Sequence, residues 1–204
     1  MDFSRILQIA VHLGGILPAV ILLFSFFTGD LTANPIQALE QRTGIIALNF
    51  LLLSLACTPV SIITGYKKIV ARKKALGNYA FLYASIHFLI FIGLDYGFDL
   101  QLTLTDVGTK KFILFGLTAL LLLLPLAVTS LNYWKKKLGP RWKTLHKLVY
   151  IISPIVTIHF LLSLKGDISQ LQGNIVKPLV YGGVILFLLL TRIPFVKAFL
   201  ARRV

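Results

Sequence analysis

Long apolar runs, separated by short polar segments, extend along the whole chain. Six of these runs are about twenty residues long, which is the length that an α-helix needs to cross the hydrocarbon core of a bilayer. We place the runs at 6–27, 43–65, 76–95, 110–131, 145–164 and 178–200. The pattern predicts an all-α integral membrane protein, in which residues 1–204 form a single domain, a bundle of six transmembrane helices.

Composition supports a membrane protein and argues against nucleic acid as a partner. Hydrophobic residues make up 57% of the chain and charged residues only 14%, whereas soluble domains carry about 25% charged residues. The formal net charge is +14, but the basic residues lie between the apolar runs rather than along one face. The single cysteine, Cys57, lies inside an apolar run, so we expect a small buried side chain there.

The distribution of Lys and Arg predicts the orientation in the membrane. With the N-terminus inside, sixteen of the 21 basic residues fall on the inner side and five on the outer side. Cytoplasmic loops of membrane proteins carry such an excess of positive charge. We therefore predict a multi-pass protein of the cell (inner) membrane with both termini in the cytoplasm, whose basic loops also contact membrane lipid.

All four histidines lie within predicted spans, at His12, His87, His146 and His159. A buried polar group without a partner costs several kcal/mol in hydrocarbon, so each imidazole needs a partner. In the predicted topology His87 and His159 share roughly one level in the outer half of the membrane. Two imidazoles on two helices at one depth can hold a six-coordinate haem iron.

The two histidines of the fifth span do not face the same way on a regular helix. His146 and His159 are thirteen residues apart, which corresponds to a difference of about 140° around an ideal helix. Pro154 lies between them and removes a backbone hydrogen bond, so a kink or local unwinding there would turn both rings inward. The alternative is a proline that the membrane helix simply tolerates.

Each histidine also has a simpler explanation, a hydrogen bond to a neighbouring helix. We favour that explanation for His12, whereas we favour ligation for His87, because only Tyr83 is a polar side chain at same-face spacing from it. His146 lies near the basic inner loop and can extend towards water. No glycine-rich nucleotide fingerprint is present, which argues against a flavin or nicotinamide domain of the Rossmann type.

Several motifs, in this order, resemble the MsrQ (formerly YedZ) family within the ferric-reductase-like transmembrane proteins. They are HLGGILP, NPIQALEQRTG, Thr58–Pro59, RKKALGNYAFLYASIHF and LGPRWKTLHKLVYIISPIVTIHFLLSLK. The resemblance covers nearly the whole chain. It implies a b-type cytochrome with one or two haems b, which takes electrons from a cytoplasmic flavin reductase or from quinol. It further implies delivery of those electrons to a periplasmic molybdopterin subunit that repairs methionine sulfoxide.

In that family the histidines that match His87, His146 and His159 are the candidate haem ligands. The resemblance assigns His87 and His159 to an outer haem. His146 then needs another partner, and we hypothesise that His12 and His146 flank an inner haem or a quinone-like site; the alternative is one haem and a structural His146. Arg141 beside His146 is a candidate to contact haem propionates or an FMN phosphate, although positive-inside topology alone also explains it.

Three functions remain open from the sequence. The first is an electron-transfer subunit of an oxidoreductase, which is not itself the catalytic subunit. The second is a ferric reductase, or a haem subunit of another respiratory or photosynthetic membrane complex. The third is a cofactor-free transporter or assembly factor, against which we count the shortage of acidic residues within the spans and the absence of an evident internal repeat.

Overall fold

The computed structural model describes residues 2–164, 166–167, 172–173 and 175–201. The described elements are α1 (Phe3–Thr28), α2 (Pro35–Thr64), a 3₁₀ segment (Lys67–Arg72), α3 (Lys73–Ile90), a π-helical turn (Phe91–Asp95), α4 (Leu100–Thr109), α5 (Lys111–Val128), α6 (Asn132–Leu138), α7 (Pro140–Leu145), a 3₁₀ turn (His146–Leu148), α8 (Val149–Ser163), β1 (Gly166–Asp167), β2 (Gln172–Gly173), α9 (Val176–Leu190) and α10 (Pro194–Ala201). β1 and β2 form one short antiparallel pair.

The all-α membrane architecture is confirmed. Within the described residues, five helical segments are long and apolar enough to cross a membrane, at 3–28, 35–64, 67–95, 111–128 and 140–163. The orientation stays a prediction, and three basic residues that enter its charge count, Lys165, Arg202 and Arg203, lie outside the described residues.

The sixth predicted span, 178–200, is wrong as one continuous helix. The chain leaves the helix after Leu190 and starts a new one at Pro194, so α9 and α10 make a sixth span only if they cross as one broken helix. Proline has no N–H to continue the hydrogen-bond ladder of the preceding turn, which is why it stands at the start of α10.

Capping residues decide where the first two helices begin and end. Asn34 accepts a hydrogen bond from the amide of Gln37, and Pro35 occupies the first turn of α2. This helix therefore begins eight residues before the predicted position 43. Gly29 and Gly65 end α1 and α2 in the left-handed conformation, with φ of 73° and 70°, which glycine adopts without steric cost.

The chain forms two compact units, Met1–Phe98 with Pro194–Val204 and Asp99–Ile193. In the first unit, α2 packs along α3, and α1 contacts α3. Phe50 of α2 stacks on Tyr83 of α3 with ring centroids 5.8 Å apart. The Tyr83 side chain is buried, and its hydroxyl donates to the carbonyl oxygen of Gly15 on α1 at 2.8 Å.

In the second unit, α8 packs against both α5 and α9. Ile152 and Ser153 of α8 are fully buried, and Ser153 donates its hydroxyl to the carbonyl oxygen of Val149. A Cβ atom at Gly182 of α9 would lie only 3.0 Å from Cγ2 of Thr157. Small residues at such contacts let membrane helices approach closely.

The contact between α1 and α3 provides a test of the first unit. A Cβ atom at Gly15 would overlap the ring of Tyr79, whereas nothing lies within 4 Å of one at Gly14. We expect Gly15→Ala to lower the free energy of unfolding by about 1–3 kcal/mol, as overpacking does, and Gly14→Ala to leave it nearly unchanged. Thermal unfolding of the detergent-solubilised variants measures the difference. Equal melting temperatures for the two variants would contradict this packing.

Candidate functional site

His87 is anchored through one ring nitrogen to the backbone of the neighbouring helix. Its Nδ1 lies 2.9 Å from the carbonyl oxygen of Glu40, on α2. A carbonyl oxygen only accepts hydrogen bonds, so Nδ1 carries the proton and the lone pair of the neutral ring is on Nε2. One helical turn after Glu40, Gly44 faces the ring, and a Cβ atom there would lie 3.4 Å from Cε1 of His87.

His159 is anchored in the same manner in the second unit. Its Nδ1 lies 2.7 Å from the carbonyl oxygen of Phe112, on α5. One turn later, Gly116 lies directly beneath the imidazole, where a Cβ atom would be 2.7 Å from Cε1 and 2.8 Å from Nδ1. The lone pair of this ring is again on Nε2, which is the nitrogen that most often binds a metal.

The two anchors repeat the same spacing along the chain. In each unit the histidine follows its carbonyl partner by 47 residues, and a glycine stands four residues after that partner. The helix pairs α2/α3 and α5/α8 each support an imidazole in an equivalent way.

His146 is held by the opposite ring nitrogen. It lies in the 3₁₀ turn before α8, with Nε2 3.2 Å from Oγ1 of Thr129. The Thr129 hydroxyl donates to the carbonyl oxygen of Pro125 at 2.6 Å, so it accepts from Nε2–H and leaves the His146 lone pair on Nδ1. The ring of Trp142 packs on the imidazole at 4.1 Å, and its Nε1 donates to the Thr129 carbonyl oxygen.

The helix is not unwound at Pro154, which agrees with the alternative of a proline that the membrane helix tolerates. α8 runs from Val149 to Ser163 without interruption at Pro154, and the change in helical period falls at His146–Leu148. A 3₁₀ segment turns about 120° per residue instead of about 100°. Three such residues reduce the angle expected between His146 and His159 from about 140° to about 80°.

The remaining candidates, His12 and Arg141, lie at exposed positions. Nδ1 of His12 is 3.0 Å from the hydroxyl of Tyr79, and the two rings meet edge to face. Arg141 lies at the start of α7 and is exposed. His12 therefore has the helix-to-helix hydrogen bond that the sequence favoured for it.

The donor set of the two anchored histidines fits a haem better than a protein-only metal site. Among the described residues, no group of three or more His, Cys, Asp or Glu side chains could hold a metal ion. Haem supplies four equatorial nitrogens and needs only axial ligands from the protein. A neutral imidazole with its proton on Nδ1 and an anchoring carbonyl is a suitable axial ligand.

Comparison with known proteins agrees with this chemistry. The family model described as "Ferric reductase like transmembrane component" matches residues 42–157, a range that contains His87 and His146 and ends two residues before His159. A Rhodospirillum rubrum protein is 39% identical over 94% of this chain and 89% of its own length. A Brucella ovis protein is 39% identical over 90% of this chain and 80% of its own length. The chain belongs to the MsrQ family. Both relatives are named "Protein-methionine-sulfoxide reductase heme-binding subunit MsrQ".

The anchoring groups of this MsrQ-family chain were not predicted from the sequence. Two of them, at Glu40 and Phe112, are backbone carbonyls, which any residue type provides. The side chain expected beside His87, Tyr83, instead donates to Gly15. The signal that would have found the anchors is the equal separation of Gly44 from His87 and of Gly116 from His159.

Protonation of the rings tests this geometry without any cofactor. In haem-free protein labelled with ¹⁵N-histidine, we expect neutral His87 and His159 to carry the proton on Nδ1, and neutral His146 to carry it on Nε2. Nitrogen chemical shifts, assigned by single His→Gln variants, distinguish the two tautomers. An unprotonated Nδ1 at residue 87 or 159 would rule out the carbonyl anchor there.

Proposed function

We propose that this chain is a haem-binding membrane subunit that carries electrons across the bilayer to a periplasmic reductase, which repairs methionine sulfoxide. The observation that carries the proposal is the matched anchoring of His87 and His159, each with its lone pair on Nε2. The names of the relatives and the ferric-reductase-like family support the same function. The chain acts as an electron-transfer subunit, and the partner is the catalytic one.

We assign His87 and His159 as the axial ligands of an outer haem b. The assignment rests on their similar predicted depth and on their shared tautomer. When bound, haem supplies a one-electron couple between ferric and ferrous iron. The carbonyl oxygens of Glu40 and Phe112 hold the imidazoles in fixed orientations and increase the basicity of Nε2.

His87 and His159 are half-buried, on helices that also carry buried apolar residues. Ile113 and Ala119, on the α5 helix that anchors His159, are buried, as are Leu76 and Ala80 on the helix of His87. A dry, apolar environment and the orientation of the ligands are what a protein contributes to a cytochrome, whereas the redox chemistry belongs to the cofactor.

An inner site around His146 would complete a path to the cytoplasmic side. We propose it as a second haem or a quinone-like site, with His12 as the candidate partner of His146 and Arg141 as a contact for propionates or an FMN phosphate. Ligation through Nε2 of His146 requires its bond to Thr129 to open. With both termini in the cytoplasm, the donor is a flavin reductase or quinol inside, and the acceptor is a molybdopterin subunit outside.

Haem content separates the two sites. We expect His87→Ala and His159→Ala each to remove the same haem, because either change leaves the iron with one protein ligand. His146→Ala and His12→Ala should lower the haem-to-protein ratio only if the inner haem exists. The pyridine haemochrome assay, with the dithionite-reduced absorption spectrum, gives the ratio. The control is Trp134→Phe, on α6, a helix that carries none of the four histidines. Full haem content in both the residue 87 and residue 159 variants would refute the ligand assignment.

The direction of electron flow tests the function itself. We expect dithionite-reduced protein in liposomes to be reoxidised by methionine sulfoxide only when the periplasmic reductase is present outside. Reoxidation of the haem bands, followed by absorbance, is the measurement. Reoxidation by ferric chelates without that partner, and none with it, would favour a ferric reductase instead. A purified protein with no haem spectrum would leave a transporter or an assembly factor.

A further inference from the structure

The carbonyl that anchors each histidine belongs to an intact helix, which limits what can stand one turn later. In an α-helix the carbonyl oxygen of residue i already accepts the amide of residue i+4. It has a second lone pair for an imidazole N–H. A ring that approaches this oxygen from the side passes over the Cα atom of residue i+4. That residue is Gly44 for the Glu40 carbonyl and Gly116 for the Phe112 carbonyl.

The two glycines are not equally close to their rings. A Cβ atom at Gly116 would lie 2.7, 2.8 and 3.4 Å from three atoms of the His159 ring. Real Cβ atoms essentially never approach other atoms closer than 3.0 Å. At Gly44 the nearest ring atom would be 3.4 Å away, an ordinary van der Waals contact. An alanine therefore fits beside His87 but displaces the ring of His159.

We propose that Gly116 is a positioning residue that sets the orientation of the His159 imidazole by admitting its ring to the Phe112 carbonyl, whereas Gly44 faces His87 without setting it. The inference rests on the proposed function, in which both imidazoles bind haem iron. The proposed function names His159 as a ligand, and this inference names the residue that orients it.

Displacement of the ring has two expected consequences. The Nδ1–H···O bond to Phe112, which is 2.7 Å long, lengthens or breaks, and Nε2 becomes less basic. A less basic ligand weakens the binding of ferric iron more than that of ferrous iron. The plane of the imidazole also turns relative to the helix axis of α8. The first effect raises the midpoint potential, and the second changes the low-spin ferric electron paramagnetic resonance (EPR) spectrum.

The test compares three single glycine variants in the haem-loaded, detergent-solubilised protein. We expect Gly116→Ala to weaken ferric relative to ferrous binding about tenfold, which for one electron is a rise of about 59 mV, with a changed EPR spectrum. Gly44→Ala should leave both properties close to those of the unchanged protein. Gly183→Ala, where nothing lies within 4 Å of the added Cβ atom, is the control for a glycine change on a membrane helix.

Other outcomes separate this inference from the function on which it rests. If Gly116→Ala matches Gly183→Ala in potential and EPR spectrum while His159→Ala still loses haem, the positioning role is overturned and the ligand assignment stands. If His159→Ala keeps its haem unchanged, the ligand assignment is wrong, and the positioning role, which depends on it, is overturned as well. An effect of Gly44→Ala equal to that of Gly116→Ala would contradict the asymmetry.

A second pair of variants decides the matter if Gly116→Ala does not fold. In His159→Gly the tethered ring is absent, and added imidazole should restore the haem spectrum by occupying its place. The double variant His159→Gly/Gly116→Ala should fold as His159→Gly does, because the clash partner is gone, but should need at least tenfold more imidazole. Misfolding of the double variant alone, or equal rescue of both, would assign Gly116 to helix packing instead.

Discussion

Low-dielectric surroundings give every polar group of this chain a strict requirement for a partner, and the imidazoles show how the requirement is met. A neutral imidazole has one N–H and one lone pair, and both are costly to leave unsatisfied in hydrocarbon. At His87 and His159 a helix carbonyl takes the N–H. The lone pair on Nε2 can then accept a hydrogen bond or bind a metal ion, and we propose that it binds haem iron.

This arrangement links the fold to the proposed chemistry through very few groups. Backbone carbonyls are held rigidly by their own helices, so an anchor on one orients a ring more firmly than a flexible side chain would. Glycine stands one turn after each carbonyl; at Gly116 a side chain would overlap the His159 ring, whereas an alanine would fit at Gly44. His146 differs from this pair, because it donates to a threonine hydroxyl through the other ring nitrogen.

Hydrophobic length predicted the membrane helices, which the structure confirms, whereas the choice of haem-ligand histidines from their depth stays a prediction. The length of an apolar run does not predict where a helix begins or ends. Those positions depend on local features such as the Asn34 cap and the break before Pro194. Anchoring partners were missed because a backbone carbonyl has no residue-specific signal. Of the two alternatives for Pro154, local unwinding or a tolerated proline, the continuous α8 agrees with the second, and the 3₁₀ turn at His146–Leu148 changes the helical period where no proline marks it.

An experimental structure of the haem-loaded protein tests the central claim most directly, because it measures both ligation and anchoring at once. We expect one iron coordinated by Nε2 of His87 and Nε2 of His159, with each Nδ1 still within hydrogen-bonding distance of the Glu40 or Phe112 carbonyl oxygen. An iron bound through Nδ1 of either ring, or through a residue other than these two, would contradict the claim that the helix carbonyls preset the ligands.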